Sequence, residues 1–138
     1  MESHDTPRLA DSLARRFGLD ADAEHVSGVM ISIWQEIEAV LIPIIGRGGL
    51  VALYGRGLHL AGAVYPWLLV TPGPLEPMDL IALRAAVAQQ DTAEASAGCT
   101  AFLQIFHELL DNLVGSFLTE QLLGSIWVHS LSIGPASA

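Results

Sequence analysis

One stretch constrains this chain more than any other: AFLQIFHELLDNLVGSFLTEQLLGSIW, from Ala101 to Trp127. Phe102, Phe106, Leu109, Leu110, Leu113 and Phe117 recur at steps of three and four residues. That spacing gathers them on one broad stripe of an α-helix. Gln104, His107, Glu108, Asp111 and Asn112 fall between them and give the helix a polar face. Such a segment has to bury its stripe against something, and the remaining sequence decides what.

No sheet is on offer. The chain has no sustained alternation of apolar and polar residues and no hairpin dipeptide between β-branched runs. Leu68-Leu69-Val70 is the only strand candidate, and it is too short. Helix punctuation is frequent instead. Thr6-Pro7 opens a first helix that runs to Phe17 and stops at Gly18, with Leu9, Leu13 and Phe17 on one stripe. Asp20 or Asp22 caps the next, in which Val26, Met30, Ile33, Ile37, Val40 and Leu41 keep the helical period. Pro43 is expected to end it near Leu41.

Ile44–Gly49 reads as a glycine-rich turn, and a helix from about Gly49 to Val64 follows. Apolar around most of its circumference, that helix is expected at the centre. Its glycines suggest close approach of a neighbouring helix backbone. TPGPLEP, residues 71–77, is an internal linker. A helix from about Pro77 to Gln89 comes next, and Asp91-Thr92-Ala93-Glu94 resembles a capping box opening the long helix, which ends near Gly115. Thr119 looks like the N-cap of a last helix reaching about His129. The expectation is a single all-α domain over residues 1–138, a bundle of about six helices with short connections, and frayed tails at 1–6 and 131–138.

Composition limits function. Apolar residues make up 51% and charged residues 15%, against about 25% charged in an average domain. A small globule with so few charges keeps apolar surface to spare, and a subunit interface is the economical cover. The net charge is −9 and the pI about 4.7. All six basic residues are arginine, and none follows Arg84. This disfavours nucleic acid and anionic membrane surfaces as partners. Absent lysine also excludes Schiff-base chemistry and an ordinary P-loop. Arginine without lysine, beside much Ala, Gly and Leu, reads as a GC-rich, bacterial coding bias. Cys99 is the lone cysteine, so no internal disulfide can form, and a cytoplasmic location is expected. The apolar run Leu41–Val70 is interrupted by Arg47, Arg56, His59, Pro43 and Pro66, so no transmembrane segment is expected.

Candidate site residues are few. Gly46-Arg47-Gly48-Gly49 before a helix could cradle an anion, with Arg56 two turns on. His59, inside an apolar helix, could ligate haem or edge a small-molecule pocket. Arg47, Arg56 and His59 are therefore the cofactor- or ligand-binding candidates. His107 and Asp111 are four apart and could face one metal ion, but no Glu-x-x-His pair accompanies them. Nothing in the chain suggests a catalytic residue, and Gly-x-Ser-x-Gly is absent. Phe117, Leu123 and Trp127 are the interface candidates.

The first expectation is thus a non-enzymatic regulatory or signalling adaptor, with no cofactor, forming a homodimer or meeting a protein partner through an apolar helical face. The second is a haem- or small-molecule-binding sensor with its pocket near His59. The third is a metal-dependent helical enzyme.

Overall fold

The computed structural model describes Leu13, Phe17 and residues 22–69 and 78–137, with the side chains of the last helix described as far as Ile126. Asp22 caps the longest helix: its carboxylate accepts the His25 N–H at 2.9 Å, which satisfies a donor the first turn cannot use internally. This helix, α1, spans Ala23–Gly62. It does not run straight. Gly46 sits at φ 81°, ψ 159°, a region that essentially only glycine visits.

The consequence is geometric. Trp34 and Tyr54 are 20 residues apart, roughly 30 Å along an unbroken helix. Their ring centroids lie 5.1 Å apart. The Gly46 corner therefore folds residues 47–62 back against residues 23–45, and α1 is a helical hairpin. Pro43 does not stop the first arm near Leu41, as its ring and missing N–H had suggested. The bond it forgoes belongs to the carbonyl of Ala39, an exposed position where water can substitute. The turn expected over Ile44–Gly49 contracts to one residue.

A 3-10 turn, Pro66–Leu68, follows α1. Helix α2 spans Leu80–Ala88, capped by Asp79, whose carboxylate accepts the Ala82 N–H at 3.0 Å. Helix α3 spans Thr92–Val114, capped by Asp91 through the Glu94 N–H at 2.8 Å. Only this forward half of the expected capping box is seen; the Glu94 carboxylate accepts the Trp67 indole N–H at 3.0 Å. That bond ties the 3-10 turn to the start of α3, where Gly98 leaves no room for a Cβ beneath the Trp67 ring. Gly115, at φ 94°, ψ 151°, makes a second single-glycine corner. Helix α4 spans Ser116–Ser137. It starts directly after that corner rather than at Thr119, whose hydroxyl bonds back to the Gly115 carbonyl at 2.9 Å. It runs past the expected end at His129.

The described residues are all-helical, with four α-helices instead of six. Two of the expected helices are the arms of α1. The expected helix Pro7–Phe17 lies outside the described residues except for Leu13 and Phe17, which are helical and fully buried. The linker 71–77 also lies outside them.

The core sits between the α1 hairpin and α3. Trp34 is its hub: Phe106 lies 5.0 Å away edge-on, Tyr54 5.1 Å and Phe102 5.8 Å, centroid to centroid. Such offset and edge-to-face pairs suit the aromatic quadrupole. A Cβ on Gly57 would lie 2.9 Å from the Phe102 ring, so this glycine admits an aromatic side chain and not, as expected, a helix backbone.

Two expectations about faces fail. The second arm of α1 is not central: Leu50, Tyr54, Leu58 and Ala61 are buried, while Ala52, Arg56, His59 and Leu60 are exposed. On α3, His107 belongs to the buried face and Leu113 to the exposed one. Phe117 leaves the stripe because the Gly115 corner resets the helical phase ahead of it.

Candidate functional site

The folded α1 hairpin and the start of α2 bring charge together at one end of the molecule. Glu38 comes from the first arm, Arg47 follows the Gly46 corner, and Asp79 caps α2. With Met78, Leu80 and Ile81 these residues line a cleft of about 240 Å³. Asp79 is held in place by its cap bond to Ala82, so one carboxylate of the cleft is fixed by helix geometry. Met78 is buried, whereas Ile81 is 85% exposed and forms an apolar rim.

Beneath this end lies Tyr54. Its hydroxyl is buried and makes no hydrogen bond. Burial raises its pKa well above the ordinary tyrosine value, and the negative charges of Asp79 and Glu38 raise it further. Both carboxylates of the cleft thus act on the hydroxyl. The Trp34 indole N–H, in the same aromatic cluster, is likewise buried without a partner.

The sequence candidates fall in different places. Arg47 lines the cleft; Arg56 and His59 are exposed on the outer side of the second arm and do not line it. The described cleft therefore holds one of these three and not His59. His107 is buried, and Asp111, one turn on, has a carboxylate oxygen that is buried without a hydrogen-bond partner. Among the described residues no three His, Cys, Asp or Glu side chains gather as a metal site would require. Cys99 is fully buried, and burial pushes its thiol up to about 12, so the thiolate a nucleophile needs is scarce at neutral pH.

Of the interface candidates, Phe117 is 78% exposed and stands with Leu113 and Leu118 around the Gly115 corner. Leu123 is fully buried in the chain's own core. The side chain of Trp127 lies outside the described residues.

A second exposed surface was not anticipated. On residues 47–62 the positions Gly48, Ala52, Gly55 and His59 are all exposed, and they share one helical face. Nothing lies within 4 Å of a Cβ built at Gly48 or Gly55. The glycines were visible as glycines, but only the fold shows that this pair faces outward. Glu38 and Asp79 were also missed as site residues, because Glu38 reads as wet-side charge and Asp79 as an ordinary residue before an apolar run.

Comparison with known protein families, with curated proteins and with solved structures gives no significant match.

Proposed function

We propose that this protein is a non-enzymatic regulatory adaptor of the cytoplasm that works as a homodimer through the outer face of α1. The carrying observation is a mismatch between composition and burial. Within α1 lies an apolar stretch of 18 residues of which 22% are fully buried inside the chain, and Ile44 and Leu60 are exposed on the hairpin. Exposed apolar surface costs solvation free energy until it is covered. The Gly48, Ala52, Gly55 and His59 stripe supports a helical partner, since small residues let two helices approach closely. An isologous pairing brings the same stripe from both copies together. The acidic charge supports a protein partner over nucleic acid, and a lone buried cysteine suits a reducing compartment.

Length and composition alone would also let α1 cross a bilayer. The hairpin geometry favours the dimer: the apolar stretch folds at Gly46, and Arg47 follows at the corner.

Size-exclusion chromatography with light scattering is the test. A dimer is expected at low micromolar concentration. Ala52→Glu, which sets two like charges against each other across the pairing, is expected to give a folded monomer. A wild-type monomer under those conditions, or a variant that stays dimeric, defeats the reading.

A further inference from the structure

We propose that the surface around the Gly115 corner docks a basic amphipathic helix of a partner protein, its apolar face on Phe117 and its cations on the carboxylates alongside. Large apolar side chains exposed singly are ordinary. Here three stand close in the chain, Leu113 before the corner and Phe117 and Leu118 after it, at 59%, 78% and 38% exposure. An apolar cluster rimmed by polar residues marks a contact surface, and a large aromatic within it is the natural anchor. The corner creates this surface, since Gly115 turns Phe117 off the stripe that α3 buries.

Charge names the occupant. Glu108 is exposed in the last two turns of α3, and Asp111 is half-buried one turn after it. Glu120 is exposed one turn after Phe117, a spacing at which side chains on a helix are neighbours. No lysine or arginine follows Arg84, so α3 and α4 bring no ammonium or guanidinium of their own to these carboxylates. Asp111 adds a separate sign, because one of its carboxylate oxygens is buried without a hydrogen-bond partner. A native fold rarely leaves such an acceptor unused, and a cationic donor is its strongest complement. A helix with an apolar face flanked by lysine or arginine meets both the cluster and the carboxylates. The same charges repel nucleic acid and an anionic bilayer. None of these residues belongs to the outward stripe of α1, so the inference does not rest on the dimer.

Fluorescence anisotropy on the full chain at pH 7 tests it. The probe is a fluorescein-labelled peptide of two copies of Leu-Lys-Lys-Leu-Leu-Lys-Leu, which patterns as a basic amphipathic helix. Saturable one-site binding is expected. Analogues with glutamate for every lysine, or alanine for every leucine, are expected not to bind comparably. Phe117→Ser, at an exposed position that leaves the core untouched, is expected to weaken binding roughly tenfold, the scale of one apolar anchor. Glu108→Gln combined with Glu120→Gln is expected to weaken it about fivefold. A chain of net charge −9 attracts any cationic peptide, so Glu24→Gln combined with Glu38→Gln removes the same charge from α1 and is expected to leave the affinity within about twofold. The proposal is overturned if the peptide does not saturate, if either analogue binds as well, if Phe117→Ser binds as tightly as wild type, or if the α1 pair weakens binding as much as the Glu108 and Glu120 pair. It also falls if light scattering finds Phe117→Ser monomeric where the wild type is dimeric, because a second copy then covers the patch.

Discussion

Gly98 shows how one missing atom organises a contact. Its backbone lies under the Trp67 indole, whose N–H is held by Glu94. Alanine there gains up to about 1 kcal/mol of helix propensity, while overpacking against a tethered ring costs about 1–3 kcal/mol. Steric cost wins, and Gly98→Ala is expected to lower the urea midpoint with an unchanged slope. Tyr54 poses the opposite problem. Its hydroxyl occupies the core without a hydrogen bond, so Tyr54→Phe is expected to be neutral or stabilising by up to about 1–3 kcal/mol. A clear loss in the same urea titration would show that the hydroxyl has a partner in solution. Cys99 carries a pH dependence. Its folded pKa is about 12 against an ordinary 9.0, so the folded state keeps a proton that the unfolded chain releases. Stability is unaffected below about pH 9 and falls by roughly 1.4 kcal/mol per pH unit between about 9 and 12. Tyr54 adds to the fall above pH 10, since its pKa is raised too. The drop in melting temperature from pH 8 to pH 10.5 should accordingly be smaller in Cys99→Ala than in wild type, whatever the variant's absolute stability.

At the scale of elements, two corners define the chain path. Gly46 and Gly115 adopt nearly the same conformation, φ 81° and 94° with ψ 159° and 151°. Each joins two helical segments through a single residue. No atom lies within 4 Å of a Cβ at either site, so a substitution there meets backbone strain alone. Gly46→Ala and Gly115→Ala are each expected to cost about 1–3 kcal/mol in chemical denaturation. Gly46→Ala should also weaken the near-ultraviolet circular dichroism of the Trp34–Tyr54 contact, which exists only while the hairpin is closed. Equal stability of Gly46→Ala and wild type would mean that the corner is not held at positive φ. The caps at Asp22, Asp79 and Asp91 work differently. They set where helices begin without deciding where the chain goes next.

For the molecule as a whole, burial follows from which elements meet, and that is where sequence and structure part. Periodicity and caps are local: an Asp reaching the N–H three residues on, or a glycine near the end of an apolar run, acts through neighbours along the chain. The all-helical class, the start at Asp91, the start at Asp22 as one of two possible caps, and the break at Gly115 were legible for that reason. Two arms around Ile44–Gly49 were legible too, although not that a single residue turns them. Exposure is not local. His107 reads as polar-face charge yet is buried, and the apolar second arm of α1 reads as central yet turns Ala52 and Leu60 to solvent. The cleft is further out of reach, since Glu38 and Asp79 are 41 positions apart in the chain and only the Gly46 fold and the docking of α2 bring them to one place. The sequence alone therefore determined that this chain is helical and where its long helix α3 begins and ends, because those free energies are settled within a turn or two. Which faces are covered, and which charges share a cleft, only the tertiary structure decided, because each depends on segments far apart in the chain arriving together.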